Sequence, residues 1–196
     1  MNSRIRKFLI LSTIFVSFAQ NAWAKTQNYY FTQEHSFLKG EIKYSLIGTY
    51  QAAFNDFEGV LILDEQNIEN SSVDMKIKTS SIRSKYPALD RIVRSRRLLD
   101  AEKYPYMTFK SKSIKRLKSG YFVEGTVNLH DITKDLSFIF YLDGPTVEDK
   151  EKLLKARGRW TINRKDFDII WNRWLDHGGI IVGDNIDVAW EIKAYH

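Results

Sequence analysis

Residues 73–79, Val-Asp-Met-Lys-Ile-Lys-Thr, decide the fold class. Val73, Met75, Ile77 and Thr79 alternate with Asp74, Lys76 and Lys78, the period of two that sends successive side chains to opposite faces of a strand. The same period spreads both ways. Upstream, residues 59–64 set Val60 and Ile62 against Leu61 and Leu63, and residues 37–49 carry Ile42, Tyr44 and Leu46 on one row. Downstream, apolar rows recur at Met107/Phe109, Tyr121/Val123/Val127/Leu129, Leu136/Phe138/Phe140/Leu142, Ala156/Trp160/Ile162 and Ile186/Val188/Trp190/Ile192. The pattern predicts eight strands in one all-β domain.

Turn chemistry separates them at Lys118-Ser119-Gly120, His130-Asp131 and Asp143-Gly144-Pro145. Consecutive hairpins imply an antiparallel meander, and closing eight strands into an up-and-down barrel disposes of both sheet edges. A sandwich is the alternative that period alone leaves open. One segment breaks the alternation. Between Ser84 and Leu99, the residues Leu89, Ile92, Val93 and Leu99 fall near helical spacing behind Pro87, which predicts one or two short helices between strands.

The first 24 residues stand apart. Arg4, Arg6 and Lys7 precede an apolar run ending at Phe18, followed by Ala22-Trp23-Ala24, the arrangement of a cleaved secretory signal. The run is well short of the roughly 20 residues of a spanning helix. Signal at 1–24 and domain at 25–196 predict an exported protein. Removing the signal takes three cations from a chain of net charge +6, leaving +3. The basic character is therefore local, concentrated at Arg83, Lys85, Arg91, Arg94, Arg96 and Arg97, and gives no general case for nucleic acid.

Composition excludes several chemistries. There are no cysteines, hence no disulfide framework, thiolate zinc site or thiol nucleophile. The four histidines (35, 130, 177 and 196) lack metal-ligand spacing, and G-x-S-x-G, the P-loop and the dinucleotide fingerprint are missing. The carboxylate pairs Asp64/Glu65 and Asp166/Asp168 fall at turns, where solvated acids are the ordinary case. No enzyme class is indicated.

The run 80–84, Ser-Ser-Ile-Arg-Ser, with Asp90, Leu98-Leu99-Asp100, Lys103-Tyr104-Pro105 and Thr108-Phe109-Lys110-Ser111, resembles the central signature of the YceI family of lipocalin-like lipid-binding proteins. His35-Ser36, Phe54, Phe57 and Gly59 before it resemble that family's first strands. Gly125, residues 130–133, residues 163–167 and Val182-Gly183-Asp184 continue the likeness in order. The resemblance implies an eight-stranded antiparallel barrel around a long apolar pore, a polyisoprenoid or quinone tail as guest, periplasmic location and no established catalysis. The chain departs from the pattern at Gly40, Tyr44, Ser84, Leu89 and Ile92, positions where relatives often carry an aromatic, His, Thr, Arg and His. The guest's head group is therefore not carried over.

The expected cavity lining is Gly40, Ile42, Tyr44, Met75, Ile77, Phe109, Val127, Phe138, Phe140, Trp160, Val188 and Trp190, loosened by the small residues Gly40, Gly125, Ala156 and Gly158. A dry, filled core built from the same rows is the alternative. The expected mouth residues are Ser84, Asp90, Arg91, Arg94 and Asn172, with residues 167–179 forming a plug or a membrane-facing lip. Burying hydrocarbon contributes about 0.8 kcal/mol per CH₂, so one five-carbon isoprene unit gives about 4 kcal/mol before ordering is subtracted. No charged anchor is required.

These readings give a non-catalytic carrier of an isoprenoid or similar amphiphile, needing no cofactor beyond the bound lipid or quinone. It would be a monomer or homodimer that touches membrane surfaces transiently. Two rivals are a scaffold whose surface binds a partner and an enzyme acting on lipid through Tyr44.

Overall fold

A computed structural model of the chain describes residues 26–44, 48–170 and 182–196; the proposed signal, Asn172 and most of the 167–179 segment lie outside them. Eleven strands form one antiparallel sheet that closes on itself: β1 (Thr26–Thr32), β2 (Phe37–Tyr44), β3 (Gly48–Phe54), β4 (Phe57–Asp64), β5 (Ser72–Lys78), β6 (Ile82–Arg83), β7 (Tyr106–Arg116), β8 (Tyr121–Leu129), β9 (Ile132–Glu148), β10 (Glu151–Asn163) and β11 (Val182–Tyr195). Three consecutive pairs, β1/β2, β3/β4 and β5/β6, are long strands interrupted by a few residues. β1 faces β4 from Thr26↔Asp64 to Thr32↔Glu58, and β2 faces β3 from Lys39↔Ala53 to Tyr44↔Gly48, almost in one register. The result is a closed eight-stranded barrel with, among the described residues, one short α-helix, α1 (Pro87–Arg94), as the family resemblance implied.

Three local expectations are corrected. Residues 37–49 do not form one strand: the chain reverses between Tyr44 and Gly48, and the first long strand instead begins at Thr26. In β1, Gln27, Tyr29 and Phe31 are buried, but Tyr30 on the opposite face blurs the alternation. Gly144-Pro145 lies inside β9. The ladder to β10 shifts register there, Gly144 takes φ 109°, and the turn falls at Asp149-Lys150, both at positive φ.

The two rims differ. One, formed by turns 65–71, 117–120 and 149–150, is packed tight by Tyr29, Leu63, Ile114, Val123, Leu153 and Leu154. The other carries α1, the His130-Asp131 turn and the ends of β2 and β10, and its inward residues Ile42, Tyr50, Val127, Leu136, Ile162 and Ile186 are half-buried. We call it the helix rim. On the helix-rim side of the β9–β10 seam, the ladder stops at Phe140↔Gly158. β9 nevertheless continues beside β8 to Ile132, and β10 beside β11 to Asn163.

Candidate functional site

Apolar rows from all long strands converge on the barrel axis, and what they enclose is small. A cavity of about 60 Å³ is walled by aliphatic side chains of β4, β5, β7, β8, β10 and β11 and by Phe31, Phe109, Phe138, Phe140, Trp160 and Trp190. An apolar cavity of roughly 150 Å³ is what accepts a benzene ring, so this volume is below that of a six-carbon guest. Aromatic rings meet across the middle: Phe138 and Trp160 have centroids 4.7 Å apart, Trp160 and Trp190 5.9 Å, and Phe109 and Phe138 5.6 Å.

The inward glycines explain part of this filling. They were expected to loosen the interior, yet a Cβ on Gly125 would stand 2.8 Å from the Phe109 ring, and one on Gly158 would stand 2.6 Å from the Trp190 ring. Each missing side chain is the seat of a neighbouring aromatic. Gly40 differs, since a Cβ there would make an ordinary 3.6 Å contact with Ile186.

Of the expected lining, Met75, Phe109, Phe138, Phe140, Trp160 and Trp190 surround the cavity. Ile77 lies in the buried core, and Val127 packs half-buried against it. Ile42 and Tyr44 are half-buried near the helix rim, with the Tyr44 ring pressed over Gly48, whose Cβ would be 2.6 Å from it. Gly40 and Val188 contribute to an open outer groove of about 1090 Å³. Phe31, Leu61, Val73, Ile114, Val123, Ala156 and Ile192 complete the cavity wall. Phe31 was missed with its strand, and Ile114 lies beyond the register shift at Ser111/Ser113, where the alternation of Met107, Phe109 and Ser111 changes face. Leu61 sits in a strand apolar on both faces, and Val73, Val123, Ala156 and Ile192 sit in rows whose alternation marks the correct face.

At the helix rim, Ser84, Asp90 and Arg94 come together around a residue the sequence reading passed over, Tyr50. Asp90, only 1% exposed, accepts hydrogen bonds from Tyr50 Oη (2.9 Å), Ser84 Oγ (2.6 Å) and the Ser84 backbone N–H (3.0 Å). Arg94 Nη1 donates to the Ile82 carbonyl at 2.9 Å. Burial pushes the Asp90 carboxyl upward, but the bonds from Ser84 and Tyr50 and the nearby Arg94 charge outweigh it, leaving it below the ordinary aspartate value. Burial, then the Asp90 carboxylate, raises the Tyr50 phenol. The cluster fastens the helix segment to β3, so Asp90 is engaged internally, while Arg91 is exposed. Nothing in the spacing of Tyr50 and Asp90, forty residues apart, signals this contact.

A second fastening lies on the same rim. Arg164, buried in the turn after β10, donates to the carbonyls of Ile169 (2.7 Å) and Gly183 (2.9 Å) and pairs with Asp184 at 3.0 Å. His130 Nδ1 lies 3.0 Å from the Phe167 carbonyl and ties the β8–β9 turn to that segment.

On the outer face, strand register places Arg83, Ala53, Lys39, Ala189 and Arg159 in one row across five strands. Three cations thus stand along the open groove with alanines between them. In the next row Glu41 is bonded by Gln51, and Asp187 by Thr161. Among the described residues no group of three His, Asp or Glu is placed to hold a metal ion, and no helix is long and apolar enough to cross a membrane.

A closed antiparallel barrel with a helix between its third and fourth long strands and an apolar axis defines a lipocalin-like class. The family description "YceI-like domain" matches residues 29–194, and the chain belongs to that family. It is 30% identical to a UPF0312 protein of Pectobacterium atrosepticum over 171 residues, covering 84% of this chain and 88% of the relative. With one of Yersinia enterocolitica it shares 32% over 111 residues, 57% of this chain and 58% of the relative. Among solved structures, BcnA of Burkholderia cenocepacia superposes with TM-score 0.73 at 20% identity, over 83% of this chain and 98% of that one. A polyisoprenoid binding domain from Saccharophagus degradans, implicated in plant cell wall breakdown, superposes with TM-score 0.65 at 12% identity, over 85% and 97%.

Proposed function

We propose that the protein is a non-catalytic carrier of a long apolar amphiphile, with an isoprenoid or quinone tail as the preferred guest, working in the periplasm after loss of residues 1–24. The observation that carries this reading is the chemistry of the axis: the cavity wall contains no charged side chain, and half-buried apolar rows continue it to the helix rim. Such a surface has affinity for hydrocarbon and offers nothing to a polar substrate. Family membership and the polyisoprenoid binding of the Saccharophagus domain support it. The cations Arg83, Lys39 and Arg159, with those of α1, suit transient contact with an anionic membrane surface, each contributing about 1 kcal/mol close to it.

Organic extraction of protein purified from the periplasm of its native host, followed by mass spectrometry, tests the proposal. The expected result is a long-chain lipid in near-stoichiometric amount. A second reading, a rigid scaffold that binds partners through its surface, is favoured by the small volume of the cavity. Recovery of no lipid, with no rise in Tm on adding geranylgeraniol, would leave that reading standing alone.

A further inference from the structure

A cavity of about 60 Å³ cannot hold a hydrocarbon tail as it stands, so a carrier must enlarge it, and among the described residues the β9–β10 seam offers a long stretch of neighbouring strands where it can do so. Along the helix-rim half of the β9–β10 seam, residues 132–139 of β9 and 159–163 of β10 share no ladder rung among the described residues. Each strand is held from its other side, β9 by β8 and β10 by β11, so the two can part without breaking a rung of either ladder. The gap is bounded by the Phe140↔Gly158 rung at one end and by the His130–Phe167 contact at the other. It runs for about 17 Å of strand at roughly 3.4 Å per residue.

What spans it is apolar. Phe138 projects inward from β9 and Trp160 from β10, and their 4.7 Å ring contact bridges the seam. Leu136 and Ile162, half-buried, flank this pair toward the rim. The alternative routes at the same rim are pinned by charged hydrogen bonds, at Asp90 for the helix and at Arg164 for the segment after β10. Dispersion contacts are short-ranged and can be replaced in kind by a hydrocarbon guest, whereas a buried carboxylate or guanidinium that loses its partners is not compensated by one.

We propose that the β9–β10 seam is a cryptic binding groove, in which the guest's tail lies between Phe138 and Trp160 once that ring pair separates. The site takes a flexible saturated or polyprenyl chain and makes no demand on a polar group along its length. This inference rests on the carrier reading and specifies where in the barrel it operates.

The absence of native cysteine makes the test direct. Were the Phe140↔Gly158 register continued, Ser137 and Thr161 would stand opposite each other on the outer face. The double variant Ser137→Cys with Thr161→Cys, bridged by a short bis-maleimide, locks the seam. Lys110→Cys with Thr126→Cys, bridged the same way, locks a completed rung as control. Uptake of cis-parinaric acid is followed by energy transfer from tryptophan. The expected result is uptake at least tenfold slower in the seam-locked protein, unchanged in the control and in the unbridged variants, and several-fold faster in Phe138→Ala. Equal rates and amplitudes in the seam-locked and control proteins would overturn the groove while leaving the carrier reading intact. If unmodified protein takes up neither parinarate nor a dansylated farnesyl probe, both fall.

Discussion

Trp190 and Gly158 face each other across β10 and β11, and the indole occupies the space that a side chain at 158 would need: a Cβ there would lie 2.6 Å from Cζ2. Gly158→Ala should therefore destabilise the barrel by about 1–3 kcal/mol through overpacking. Urea unfolding measures the loss, and a shift in tryptophan emission reports the displaced ring. Unchanged stability and emission would show that the indole has room to move aside.

Gly125 should be less forgiving. A Cβ there meets the Lys110 carbonyl oxygen at 2.5 Å as well as the Phe109 ring, and a backbone atom held in a ladder cannot rotate away. Gly125→Ala is expected to lose more stability than Gly158→Ala in the same urea experiment; the reverse order would contradict this account.

The Asp90 cluster makes stability depend on pH in a defined sense. Because the folded carboxyl is held below the ordinary value of 3.8, its contribution is complete above that value and is lost as pH falls through the lowered one. The raised Tyr50 phenol acts at the other limit: its contribution is complete below pH 10 and is lost as pH rises through the folded value. Asp90→Asn should lower stability at pH 7 by about 1–3 kcal/mol and flatten the acid limb. Equilibrium unfolding between pH 3 and pH 7 checks this, and parallel acid limbs in the two proteins would refute it.

Arg164→Lys tests the other rim fastening. A lysine carries one point charge and cannot reproduce the fork that reaches Ile169, Gly183 and Asp184 together. The expected loss is about 2–4 kcal/mol, with hydrogen exchange accelerating first around residues 164–169. Exchange that accelerates uniformly over the whole sheet would show that Arg164 has no local role.

Much of the fold was readable because period-two alternation names a face without naming a neighbour. Met75 with Phe109 and Phe138 with Trp160 were assigned inward from their own strands alone, and the YceI resemblance supplied closure. The first long strand was misplaced because Tyr29, Tyr30 and Phe31 put aromatics on both faces, hiding the alternation that burial reveals. The candidate site was less readable. Glycines at 125 and 158 signal space in a sequence, but whether a neighbour's ring fills that space depends on cross-strand register, which composition does not encode. Likewise Tyr50 reaches Asp90 only because β3 and α1 share a rim.

The missing rungs beyond Phe140 and Gly158 also bear on the mechanics of the cylinder. A hoop whose joints are all hydrogen-bonded along their length has a fixed circumference, whereas a hoop with a long unfastened joint can change girth by flexing its remaining joints slightly. The β9–β10 joint is thus fastened toward the turn-bearing end and free toward the other, like the slot of a collet that grips rods of different gauge. Tolerance toward chains of varying thickness then follows from where the last rung falls and needs no remodelling of the wall itself.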